Sequence, residues 1–277
     1  MTRPPPRFPL DLGRVQGTAR ATSAASPELL RPQRHLHHAA QDAQQQQQAS
    51  ARHAPQGLGL DSAAVRSRMV QRLRADGVRC EPVLQAFAQV ERHRFVDTAL
   101  ANQAYEDTSL PIGLQQTISK PSVVARMLAL LFEGEHARQQ GHLGRVLEIG
   151  TGCGYQAALL ALLSRSVVSI ERLKGLHDKA RDNLAGQQAG DLRLVYGDGR
   201  LGHAPRAPYT SIVAAAGGDD VPVAWLDQLA VGGRLIAPTH DAERGGQVLL
   251  VIDKQAEGVV RQWHDAVHFV PLQSGAA

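Results

Sequence analysis

Cysteine, aromatic residues and unbroken apolar runs are all scarce in this chain. Among 277 residues there are two cysteines, Cys80 and Cys153, and aromatic residues make up 4%. Two thiols cannot build a disulfide framework, and their spacing matches no zinc motif. Two reduced cysteines and no metal are therefore expected, as in a cytoplasmic protein. No stretch approaches the roughly 20 consecutive apolar residues of a membrane helix, so no membrane partner is expected. The opening MTRPPPRFPLDLGR has no continuous apolar stretch, which argues against a secretory signal. Acidic residues are the minority charge, 26 against 30 Lys and Arg, for a formal net charge of +4.

The shortage of acids is local. Residues 1–60 hold seven arginines and three acids, whereas residues 61–277 hold 23 basic and 23 acidic residues. The hint of a polyanionic partner thus belongs to the first sixty residues, and nucleic acid is not an expected partner of the rest. That segment contains PPP, the Gln44–Gln48 run and one aromatic residue, Phe8. Such a composition cannot bury enough apolar surface to offset its ordering entropy. It reads as a disordered, basic, Pro/Gln/Ala-rich extension that the core does not need. His35, His37 and His38 within it read as incidental rather than as a metal site.

Residues 61–277 read as one ordered domain, with helices and a covering loop in 61–140 and a sheet in 141–277. Asp61 or Ser62 can cap a helix carrying Val65, Met69 and Leu73, which Gly77 ends. Pro82 opens a second helix with Val83, Leu84, Phe87 and Val90. Residues 99–120 show no clear period, and a third helix starts at Pro121. After a polar loop come strands at 145–149, 167–171, 192–196, 209–215, 233–237, 247–252 and 259–269. Helices at 155–164, 173–184 and 222–230 lie between them. This alternation predicts an α/β fold with a doubly wound, mostly parallel seven-stranded sheet, closed by an antiparallel edge.

The segment VLEIGTGCGYQ carries the chemistry. Gly150, Gly152 and Gly154 lie between a strand and a helix, where glycine permits unusual backbone angles and close approach of a ligand. Thr151 stands among them. Glu171, followed by Arg172, ends the next strand, where a carboxylate can accept both hydroxyls of a ribose. Asp198, followed by Gly199, can accept from an adenine amine. These features fit an adenosine-containing ligand, either a dinucleotide or S-adenosylmethionine. Two details favour the latter. The spacing is G-x-G-x-G, which is not shaped around a pyrophosphate. Glu148 places a negative charge that would repel phosphates but suit an ammonium or a sulfonium.

VLEIGTGCGYQAALLALL, SIERLKGL, GDG and FVPL together resemble the protein-L-isoaspartate (D-aspartate) O-methyltransferase family. The upstream run RFVDTALANQAYEDTSLPIGLQQTISKPSVVARMLALL is similar to that family's own N-terminal signature, with RFV, AYED, LPIG and TIS-x-P in order. The resemblance covers about 61–273 and leaves 1–60 unmatched. It implies a Rossmann-like, class I S-adenosylmethionine-dependent methyltransferase that needs no metal. It also implies transfer of a methyl group to the free α-carboxylate of L-isoaspartyl, and by extension D-aspartyl, residues in age-damaged proteins and peptides. The ester would then collapse through a succinimide towards normal aspartate. The family's active-site serine falls on Ser119, which would also touch the cofactor, with Thr117 as a second donor. Backbone N–H groups at the following helix start would favour the anion. Ile118 and Pro121 would shape the covering loop, and Tyr105 and Asp107 would fix it. A cytoplasmic monomer is expected. The alternatives are a related methyltransferase for another acceptor and a non-catalytic cofactor-binding interaction protein.

The chain departs from the family pattern at Lys120, expected to point outward, at Thr210 in place of an acid, at 217–220 (GGDD) and at His240. None of these falls on the glycine loop, Glu171, Asp198 or Ser119.

Overall fold

The computed structural model describes residues 63–185, 190–241 and 245–277. The expected disordered extension, its histidines and the Asp61 or Ser62 cap lie outside these residues. The first helix, α1 (Ala63–Ala75), turns Met69 and Leu73 inward, and Gly77 follows it at φ 100°. The second, α2 (Glu81–Gln89), carries its proline in the first turn and buries Val83, Leu84, Ala86 and Phe87. Two 3-10 turns, Arg92–Phe95 and Thr98–Gln103, lead into a hairpin of β1 (Leu110–Gly113) and β2 (Gln116–Ile118). These strands of four and three residues are too short for alternation to be read from sequence. Next come α3 (Pro121–Phe132) and the short α4 (Glu135–Gln140). The latter falls in the stretch expected to be a loop, because six mostly polar residues show no apolar stripe.

Then follow β3 (Arg145–Ile149), α5 (Tyr155–Leu163), β4 (Ser166–Glu171), α6 (Lys174–Leu184) and β5 (Asp191–Tyr196). The chain continues through β6 (Tyr209–Ala214), α7 (Val223–Gln228), β7 (Leu229–Asp241), β8 (Gly246–Gln255) and β9 (Gly258–Val267). The seven strands are ordered β5-β4-β3-β6-β7-β8-β9. Neighbours are parallel from β5 to β7, and the β7–β8 and β8–β9 pairs are antiparallel. The predicted doubly wound sheet with an antiparallel edge is therefore present. Its β7 is longer than the expected 233–237 and α7 correspondingly shorter. Gly232, at φ 77°, lies where the β6–β7 register shifts, so the glycine pair lets the strand continue through an irregularity.

Alternation along the central strands explains why the sheet is covered on both faces. Val146, Val167, Val213 and Ile236 join a core with α1, α2, α3 and α5. Their chain neighbours Leu147, Val168, Ile212 and Leu235 join a second core around Trp225. With period two, a run apolar at every position must bury both sides. Chain direction across the sheet reverses at β3, which pairs with β4 on one side and β6 on the other. Strand ends at such a switch point leave a crevice.

Candidate active site

The crevice is a cleft enclosing about 880 Å³, part of it open to solvent, above the carboxyl ends of β3 and β4. Its floor is the β3–α5 loop. Gly150, Gly152 and Gly154 have φ of 89°, 56° and 91°, a region L side chains rarely adopt. A Cβ on Gly152 would also meet Ile112 Cδ1 at 3.2 Å, so glycine keeps the hairpin and the loop in contact while leaving main chain at the cleft. Glu171 holds this loop in place. Its Oε2 accepts from Gly152 N at 2.9 Å and its Oε1 from Leu173 N at 2.9 Å, and the residue lines the cleft.

The opposite wall is the hairpin and the start of α3. Thr117, Ile118 and Ser119 line the cleft, as do Gly150, Thr151, Gly152, Arg172 and Gly199. Ser119 is half-buried and does not cap α3. Lys120 is the cap residue, and it is exposed, as expected. The carboxylate of Asp107 instead accepts from Ser122 N at 2.9 Å and Ser122 Oγ at 2.7 Å. This alters the expected anion site at the helix start, since Pro121 has no N–H and that of Ser122 is already engaged. Tyr105 anchors the same region, its hydroxyl 2.9 Å from His93 Nδ1. Lys179 Nζ donates to Ile112 O at 2.9 Å and ties the hairpin to α6.

Three of the residues expected at the ligand behave differently. Gly154 is not part of the cleft lining; a Cβ there would meet Leu184 Cδ1 at 3.0 Å, so it serves the packing of α5 on α6. Glu148 is 0% exposed and lies beneath the loop rather than in the cleft. Ser169 Oγ donates to its Oε2 at 2.5 Å and stands 2.6 Å from Thr151 Oγ1, forming a chain from the buried carboxyl to the cleft wall. Burial, only partly opposed by Ser169 and Gln156 and slightly aided by the charge of Glu171, pushes Glu148 up to about 8. Burial thus disfavours the negative charge that the sequence suggested at this position. Asp198 caps a 3-10 turn, accepting from Arg200 N at 2.8 Å, and its other oxygen accepts from Gly275 N at 2.7 Å. Asp198 does not line the cleft, and these two bonds tie the turn to the C-terminal segment.

That segment is what the residue-by-residue reading missed. Val270, Pro271, Leu272 and Gln273 line the cleft. The chain then runs on to receive a bond at Gly275 O from Arg172 Nε, 3.0 Å, and to pair Ala277 with Arg172 O and Lys174 N at 2.7 Å each. The FVPL run was a visible signal, but nothing in its composition says where it folds back. Thr210 serves packing. Its Oγ1 accepts from Arg145 N at 2.9 Å and donates to Leu143 O at 2.7 Å, joining β6 to β3. His240 is exposed, and its N–H donates to Gly218 O at 2.9 Å.

Residues 64–277 match the model of the family described as protein-L-isoaspartate(D-aspartate) O-methyltransferase. The chain belongs to this family. It is 62% identical over 274 residues to a protein-L-isoaspartate O-methyltransferase of Methylibium petroleiphilum, covering 99% of this chain and 97% of that one. A relative of the same name from Leptothrix cholodnii is 63% identical over 222 residues, covering 80% and 77%. Among solved structures, one protein-L-isoaspartate O-methyltransferase superposes with a TM-score of 0.66 at 26% identity, covering 76% of this chain and 66% of that one. A Plasmodium falciparum protein of the family, solved in complex with S-adenosyl-L-homocysteine, superposes with a TM-score of 0.63 at 22% identity, covering 74% and 97%. That second likeness speaks to the fold alone. Among the described residues no cluster of three or more potential metal ligands occurs, and no helix is long and apolar enough to cross a membrane.

Proposed function

We propose that this chain transfers a methyl group from S-adenosylmethionine to the free α-carboxylate of isoaspartyl residues in damaged proteins. The observation that carries the reading is a cleft in which the glycine loop faces Thr117 and Ser119 of the hairpin–helix wall. Gly150, Thr151, Gly152, Glu171, Arg172 and Gly199 form the half that fits an adenosine-containing methyl donor. The left-handed glycines leave main chain open to it, and a side chain at Gly152 would press on Ile112. S-adenosylmethionine supplies an electrophilic methyl whose sulfur departs as a neutral thioether.

The residues of the chain have little proton chemistry to do. A carboxylate with an ordinary pKa near 4 is already ionised at pH 7. What the reaction requires is orientation in a site shielded from water, which can lower a barrier by roughly 7–11 kcal/mol when alignment is good. Ser119 and Thr117 are assigned to hydrogen-bond the acceptor carboxylate, with Ser119 also next to the methyl donor. Ile112, Ile118 and the 270–273 segment exclude water. Asp198 acts through the C-terminal segment and Glu148 through Ser169 and Thr151. Both reduced cysteines, free in the structure, accord with a cytoplasmic enzyme, which we take to act as a monomer.

Incubation with labelled S-adenosylmethionine and paired peptides differing only in Asp or isoAsp tests this. Label on the isoAsp peptide alone is expected. Absence of transfer by a protein that binds S-adenosylhomocysteine would refute the acceptor assignment.

A further inference from the structure

Among the described residues Arg92 is the most deeply buried cation, 0% exposed, and the chemistry above gives it no role. It opens the first 3-10 turn, well outside the glycine loop and the hairpin. Its guanidinium is the point where three otherwise separate segments meet. Nε donates to Ala104 O at 2.7 Å. One terminal nitrogen donates to Ser119 O at 2.8 Å and reaches towards Thr108 O at 3.5 Å. The guanidinium carbon lies 4.8 Å above the ring of Tyr155, the first residue of α5 after the glycine loop.

The guanidinium's hydrogen bonds go to carbonyls and it lies over a ring, while the Asp107 carboxylate adds only a weaker attraction. Burying a cation costs several kcal/mol unless its surroundings compensate, and carbonyls compensate less than a carboxylate would. An apolar side chain of similar size would avoid that cost but would leave the carbonyls of Ala104 and Ser119 without this donor. What an apolar side chain could not do is hold the carbonyl of Ser119. That residue lies between the end of β2 at Ile118 and the cap of α3 at Lys120, outside both ladders. A bond to its carbonyl fixes the peptide plane and so the direction of its Cα–Cβ bond. The rigid fork of an arginine can hold several acceptors in one plane, which a lysine cannot.

We infer that Arg92 is a positioning residue for methyl transfer: it fixes the backbone of Ser119 and, through Tyr155, sets that residue's place relative to the glycine loop. The inference rests on the assignment of Ser119 to the acceptor carboxylate. Arg92 touches neither substrate and acts only through the loop.

The test compares Arg92→Lys, Ser119→Ala and the double variant in the full chain. It measures kcat and KM for an isoAsp peptide, the dissociation constant of S-adenosylhomocysteine, and thermal unfolding. Arg92→Lys should lower kcat by at least about tenfold while cofactor affinity stays within about threefold, because the cofactor half of the cleft is held by Glu171. The double variant should be little slower than the slower single one, since both changes remove the same alignment. Arg92→Lys with wild-type kcat overturns the inference, as do losses that multiply in the double variant. A loss explained wholly by a smaller folded fraction overturns it too. Should Arg92→Lys fail to fold, Arg92→Gln, which keeps an amide donor, is read by the same assays. If neither folds, Arg92 is a folding residue and the positioning role falls. Ser119→Ala at wild-type turnover would instead refute the assignment of Ser119; a slow Ser119→Ala beside an undiminished Arg92→Lys refutes only the role of Arg92.

Discussion

Replacing Glu148 by glutamine should remove a pH dependence that this one carboxyl imposes on folding stability. In the folded chain burial raises Glu148 from 4.5 to about 8. Between those values the native state retains a proton that the unfolded chain has lost. The unfolded state then binds fewer protons, and stability falls as pH rises. The stabilisation is complete below the unfolded value of 4.5 and is gone once the pH passes about 8. Each pKa unit is worth about 1.4 kcal/mol, so the shift sets a ceiling near 5 kcal/mol. The value of about 8 is already net of the Ser169 hydroxyl, which donates to Oε2 and favours the ionised form, and at about pH 5 part of the change has already occurred. A change of about 2–5 kcal/mol is therefore expected for the wild type relative to Glu148→Gln. Urea unfolding of both proteins without cofactor, at about pH 5 and about pH 9, measures it. Histidines whose burial lowers their pKa, such as His136 and His203, are common to both proteins and cancel. Parallel changes in the two proteins, differing by less than about 0.5 kcal/mol, would show that Glu148 is not held neutral by its surroundings.

Ser119→Ala should reduce turnover of an isoAsp peptide by about 10- to 100-fold with little change in S-adenosylhomocysteine affinity; equal losses in both would make Ser119 structural. Gly199→Ala places a Cβ 2.6 Å from Ile149 Cγ2, under the cleft. It should cost about 1–3 kcal/mol in urea unfolding, and an unchanged midpoint would contradict that packing. At the hairpin tip Leu114 and Gln115 have φ of 51° and 58°. Gln115→Gly should raise stability by up to about 1 kcal/mol, because relief of a left-handed side chain exceeds glycine's entropy loss; a lower unfolding midpoint would refute it. A chain starting at residue 61 should methylate the isoAsp peptide as the full chain does, and a large loss would give the first sixty residues a role in catalysis.

Where the sequence succeeded, the determining forces were local. RVLEI and VVSIE each set two apolar residues side by side, Val146–Leu147 and Val167–Val168, which point to opposite faces of a strand and so require cover on both. The glycines at 150, 152 and 154 answer to backbone angles set within one turn. TIS-x-P marked the wall that faces them. Where it fell short, the deciding partners were distant in the chain. The hairpin at 110–118 is held by Lys179, and α4 is too short to carry a stripe. Asp198 was assigned to a ligand because of its place after a strand, yet its carboxylate is met by Gly275, 77 residues on.

The sequence by itself therefore determined the doubly wound sheet, its antiparallel edge, the glycine loop, the family and Ser119 as the residue at the cleft. Period-two burial and glycine's freedom are properties of neighbouring residues, and a motif is a local string. Only the tertiary structure decided that the charge of Glu148 is disfavoured by burial, that the C-terminal segment closes one side of the cleft, and that Arg92 holds the carbonyl of Ser119. A pKa, a lid and a buried cation's partners depend on what the whole chain packs around them. In each case those partners come from elements that the fold alone brings together.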